Sequence, residues 1–329
     1  MGRICRTIPG LICCLFLAMP TAAFAWNQAT HAYIADRLGA RAGLDNLNEM
    51  WGSTAPDMFN YVFDPDLCVG WISDQAQGVD PDSAMKIWSA VSTDKDVALA
   101  FGFVSHNDSW GADFVAHHSG LRPGYENDGY IITKAKQLLN TPSNPADPQR
   151  TFGDVFAGYG MNPDMALLVA HVITEYAIDI RLGNDVDPLL GRKLATAARN
   201  ETKKFQPLLV KAFAAEYADH CFDGDFSSAA AVLTATEKGH RKDMIFLGQA
   251  ISQPEPVAVQ LLAEQLVAVL SDLGFSYVPV ETVKAGIVSS IALCDDYKAE
   301  IDATVEFVEQ RLVDHGVTYS YNGNPKNEQ

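Results

Sequence analysis

Cysteine is scarce where it would matter chemically. Three of the six cysteines lie in the first 25 residues, and the others, Cys68, Cys221 and Cys294, are far apart and lack CxxC spacing. This argues against a cysteine-based zinc site and leaves at most one disulfide, its pairing open. Basic residues are also few: 24 Lys and Arg stand against 41 Asp and Glu. So acidic a chain repels nucleic acid and anionic lipid unless cations offset the charge locally. The one marked apolar run, Leu11–Met19, is too short and too close to the start to span a bilayer. No later segment reads as transmembrane. Alternating β-branched runs are rare and no repeat or low-complexity tract stands out, which leaves a mostly helical reading.

What is present begins with a leader. Arg3 and Arg6 precede the apolar run, and Ala23-Phe24-Ala25 has the small-x-small form that signal peptidase cuts after. Residues 1–25 are therefore expected to be removed on export, to a periplasmic or secreted location. The remaining chain has 22 basic against 41 acidic residues, a charge of −19. Trp26 becomes its first residue, with a free α-amine that can chelate a metal together with its own carbonyl oxygen. His31 stands close enough in sequence to join it.

Helices are expected over Thr30–Ala42, 83–88, 94–105, 108–119, 129–139, 163–182, 188–219, 226–237, 256–273, 279–293 and 295–314. Residues 57–78 read as irregular, and Thr141–Pro148 as a loop. Asn162 and Pro163 form a cap and first-turn pair. The tail from Gly316 reads as polar and frayed. The chemistry is concentrated between residues 26 and 179, so residues 26–190 read as one domain and 191–329 as a helical extension completing or flanking it.

Five of the eight histidines sit in short stretches that also hold acids. On one continuous helix, His106, Asp113 and His117 at i, i+7 and i+11 form a narrow stripe, and His118 points off it. The alternative is a polar helix face, and a break at Asn107-Asp108 would undo the stripe. His171 and Glu175, at i and i+4, can reach one ion, with Asp179 a turn further as an orienting group. HxxxE alone is a common helical pairing; its weight comes from the other clusters. Asp57 follows Pro56 in a turn, where an aspartate ordinarily caps. His220, His240 and His315 lack such company and read as surface or packing residues.

In this order the stretches resemble the zinc-dependent phospholipase C and S1/P1 nuclease superfamily. Trp26-x4-His31 is similar to the nuclease branch. Ala55–Phe59, Ala100–His106 and Ala116–Gly120 are similar to the bacterial phospholipase C branch. The resemblance implies an all-α bundle and up to three zinc ions. One ion would take Asp57, His106 and Asp113, and a second His117, His171 and Glu175. The third would take the amine and carbonyl of Trp26, His31 and Asp113 as a bridge. Two differences stand out. His106-x6-Asp113 replaces the family's His-x3-Asp, and no histidine lies between Asp57 and His106, where Asp64, Asp66 or Asp74 is the expected substitute.

The resemblance implies hydrolysis of a phosphodiester, expected to be a phospholipid at a peripheral membrane contact, with Asp57 as general base or water-orienting group. A single-strand nuclease is the alternative, with Trp110 and Tyr61 as candidate base-stacking rings. An exported helical binding protein with a partial metal site is a third reading.

Overall fold

The computed structural model describes residues 26–43, 46–60, 62, 64, 67–200 and 204–318. The expected leader, Tyr61, Asp66 and most of the expected tail lie outside them. The described chain is all-α. Its one sheet is a two-stranded antiparallel hairpin, β1 (Pro142–Asn144) and β2 (Asp147–Thr151), formed from the stretch that reads as a loop. Among the described residues no helix is long and apolar enough to cross a membrane.

Four helices build the site. Helix α1 (Gln28–Ala42) carries His31, and α2 (Asn46–Thr54) leads through a 3₁₀ turn (Ala55–Phe59) that carries Asp57. Helix α3 (Val69–Gln77) falls where irregular chain is expected, and Gly78 ends it in the left-handed conformation. After α4 (Met85–Ser89), α5 (Asp94–His106) starts at Thr93, whose side chain accepts the Asp96 N–H, and ends on His106.

The continuous helix expected through His106, Asp113 and His117 does not form. A turn at 107–111 separates α5 from α6 (Ala112–His117). The turn has its own hydrogen bonds: Asn107 Oδ1 accepts the N–H groups of Ser109 and Trp110, at 2.9 and 3.1 Å. These side-chain bonds compete with helix continuation.

Helix α7 (Gly129–Leu139), the hairpin and α8 (Phe152–Gly158) lead to α9 (Pro163–Arg181), where Asn162 caps the Met165 N–H and Pro163 occupies the first turn. Helix α9 carries His171, Glu175 and Asp179. The expected 188–219 helix is two, α10 (Leu190–Asn200) and α11 (Phe205–Cys221). Helix α12 runs over Phe226–Ile251, well beyond its expected end. Helices α13 (Glu255–Asp272), α14 (Val280–Leu293) and α15 (Tyr297–Asp314) are the last among the described residues.

One contiguous apolar core runs from Trp26 through Val317, so residues beyond 190 pack directly on those before. Helix α10 packs on α2, and α14 on α7 and α9. Polar contacts join the same regions. Asp296 accepts from Arg122, Tyr125 and Tyr130, and Lys134 Nζ lies 3.0 Å from it.

Two glycines set the crossing of α2 and α5. A Cβ at Gly52 would lie 2.0 Å from the Leu99 carbonyl oxygen, and one at Gly102 would lie 2.0 Å from that of Glu49. Only bare backbone permits this approach, which brings His106 against Ser53.

Candidate metal centre

His106 is wholly buried, and its Nδ1 lies 3.1 Å from the Ser53 carbonyl oxygen. A carbonyl only accepts, so Nδ1 carries the proton and Nε2 keeps its lone pair. That Nε2 has no hydrogen-bond partner. It faces Asp57 Oδ1 at 3.6 Å and Asp113 Oδ2 at 3.8 Å. The His31 ring stacks on His106 at 4.0 Å between centroids, and its Nε2 is likewise buried without a partner. Burial, reinforced by the neighbouring ring, holds His31 well below the ordinary imidazole pKa, and burial also lowers His106. Both rings are therefore neutral, as metal ligation requires.

The turn at 107–111 returns the chain so that Asp113 faces His106. Asp113 is fully buried and neither of its oxygens has a hydrogen-bond partner. Its Oδ1 lies 3.0 Å from His117 Nδ1. On the other side of the ring, His117 Nε2 lies 3.0 Å from His171 Nε2 and 3.9 Å from Glu175 Oε1. His171 and Glu175 approach to 2.8 Å across one turn of α9. Burial raises Asp113 and Glu175 well above the ordinary carboxylate range, with nearby carboxylates adding to the shift at Asp113.

Asp57 sits at the opposite end of this array, held by amides. Gln28 Nε2 donates to one of its oxygens at 2.7 Å, and Asn60 Nδ2 and Gln77 Nε2 donate to the other at 2.9 and 3.2 Å. Burial pushes its pKa up to about 6 against these favourable contacts. Asp64 and Asp74 are exposed, so they do not supply the missing histidine; amides of Asn60 and Gln77 reach Asp57 instead. Amides give no metal-spacing signal in a sequence, and the helix that delivers Gln77 reads as irregular chain.

Asp179 fixes the first helix from across the bundle. Its oxygens accept the N–H groups of Ala29 and Thr30 and the Thr30 hydroxyl, at 3.2, 2.9 and 2.7 Å. A buried carboxylate thus caps α1 and positions the neighbouring His31. Trp26 is buried immediately before α1, its ring stacked on Tyr130 at 5.4 Å.

The structure therefore brings together His31, Asp57, His106, Asp113, His117, His171 and Glu175. His118 turns outward, half exposed, to Asp108 at 2.8 Å. Of the histidines without acidic company, His240 is buried against Trp51, and His220 stacks on Trp71. His315 stacks on the buried Trp110.

Three groups have ligand atoms mutually within 4.8 Å: His31, His106 and Asp113; His117, His171 and Glu175; and Asp108, Asp113 and His117. Among the described residues no Lys or Arg pairs with Asp57, Asp113 or Glu175. Buried carboxylates facing neutral imidazoles, with ligand atoms left unpartnered, can hold a metal ion. Comparison with family models, curated proteins and solved structures found no match.

Proposed function

We propose that the chain is an exported zinc-dependent phosphodiester hydrolase of the phospholipase C type. The observation that carries this reading is the convergence of four imidazoles and three carboxylates in one buried array, with His31 Nε2, His106 Nε2 and both Asp113 oxygens unpartnered. Imidazole and carboxylate donors without thiolate suit zinc. His106 and Asp113 would hold one ion, with Asp57 alongside, and His117, His171 and Glu175 another. With the leader cut after Ala25, the amine and carbonyl of Trp26 would join His31 and Asp113 at a third. Bound there, zinc supplies Lewis acidity that lowers the pKa of coordinated water and offsets charge on the phosphoryl oxygens.

The protein's own groups do the rest. Amide N–H groups of Gln28, Asn60 and Gln77 aim the Asp57 carboxylate, leaving lone pairs to take a proton from the attacking water. Ser53 fixes the tautomer of His106, and Asp179 fixes α1 and with it His31. The water oxygen bonds to phosphorus, the P–O bond to the leaving group breaks, the departing oxygen takes the proton held by Asp57, and an alcohol and a phosphomonoester remain.

A neutral or zwitterionic phospholipid suits the acidic chain better than an anionic one. A nuclease remains the competing substrate reading, although Trp110 is buried against His315 and so is not an open stacking platform.

Turnover of a choline phospholipid and of single-stranded DNA and RNA, before and after chelation, tests the proposal. Lipid cleavage that disappears on chelation and returns with zinc is expected. Cleavage of nucleic acid alone transfers the proposal to the nuclease reading. Activity that survives removal of all zinc contradicts it.

A further inference from the structure

The turn between α5 and α6 introduces a carboxylate outside the expected ligand sets. Asp108 is 7% exposed. Its backbone N–H donates to the Gln77 carbonyl at 2.7 Å, and the Ser109 hydroxyl donates to the carbonyls of Gly78 and Val79 at 2.8 and 2.9 Å. These bonds tie the turn to the end of α3. On its outer side Asp108 Oδ1 accepts from His118 Nε2 at 2.8 Å.

On its inner side, Asp108 has a ligand atom within 4.8 Å of those of Asp113 and His117. Asp113 is wholly buried with both oxygens unpartnered, and His117 Nδ1, also buried and unpartnered, lies 3.0 Å from one of them. Two carboxylates this close in a buried site repel each other unless a proton or a cation lies between them.

We propose that Asp108 is a metal ligand that, together with Asp113, holds a divalent cation beside His117. The inference rests on the metal reading above and adds a donor to it. The donor set is weighted towards oxygen, so it accepts Mn²⁺ more readily than the His117, His171 and Glu175 group does. His118 is a positioning residue whose N–H holds the carboxylate from the solvent side. When His117 Nε2 serves the second group, its Nδ1 carries the proton and faces Asp113 at 3.0 Å. His117 then ligates the second ion alone, and the ion at Asp108 and Asp113 takes carboxylate oxygens.

The test is metal content and affinity, by equilibrium dialysis against zinc and separately manganese, for wild type and the variants Asp108→Asn, His118→Ala and His171→Ala. Asp108→Asn should bind one equivalent fewer, or hold it at least about ten-fold more weakly. His171→Ala should lose a different equivalent, and the double variant both. His118→Ala removes only a half-exposed ring and should weaken the Asp108-dependent ion a few-fold; it carries the test if Asp108→Asn fails to fold. Unchanged stoichiometry and affinity in Asp108→Asn, or in His118→Ala where that variant stands in, overturns this inference alone. A wild type that binds no metal overturns it together with the metal reading.

Discussion

Asp57 illustrates how a single carboxylate is prepared for work. Three amide donors surround it, so its orientation does not depend on any ion. Asp57→Asn preserves its shape but replaces one acceptor oxygen with an NH₂ group that faces an amide donor. Hydrolysis should fall by about 10²–10⁴-fold, the range for a lost general base. Stability should drop by about 1–3 kcal/mol from the buried donor left unmade. Steady-state kinetics beside thermal unfolding checks both; activity within threefold of wild type would remove Asp57 from the chemistry. At this scale the sequence is informative where ligands repeat at helical spacing, as His171 and Glu175 do on α9 and Asp113 and His117 do on α6. It is silent on Gln28, Asn60 and Gln77, because their role comes from tertiary proximity.

The element that shapes the centre is the turn at 107–111. Helical periodicity alone predicts that His106 and Asp113 share a stripe on one helix. The chain instead folds back, and the two side chains meet across the break. Gly111 is what permits the fold-back. A Cβ there would lie 2.4 Å from the His106 carbonyl oxygen and 2.7 Å from that of Ser105. Its φ of −94° is open to any residue, so the constraint is backbone approach alone. Gly111→Ala should cost about 1–3 kcal/mol, the usual range for overpacking, and should loosen metal binding because it separates His106 from Asp113. Thermal unfolding with metal analysis reads both effects; an unchanged midpoint and metal content would show that the turn does not set the site. Helices α2 and α8, the hairpin and the division of 188–219 were not legible either. Their boundaries depend on caps and close crossings such as Gly52 against Leu99, which leave little periodic trace.

For the whole molecule, the helical class was legible from its apolar periodicity, but the joint role of distant segments was not. His31, Asp57, the α5–α6 turn and α9 are far apart in the chain. They meet because Asp179 caps α1 and because α2 crosses α5 at two glycines. The result is an acidic protein whose buried carboxylates, Asp57, Asp113 and Glu175, face neutral imidazoles and no described Lys or Arg. Metal ions are the partners that would satisfy this charge. The most direct measurement is the metal content of purified chain beginning at Trp26, after dialysis against zinc, beside a version with one extra residue before Trp26. Two or more zinc equivalents per chain, with one fewer in the extended version, is the result expected. Less than one equivalent in both would contradict the metal centre itself.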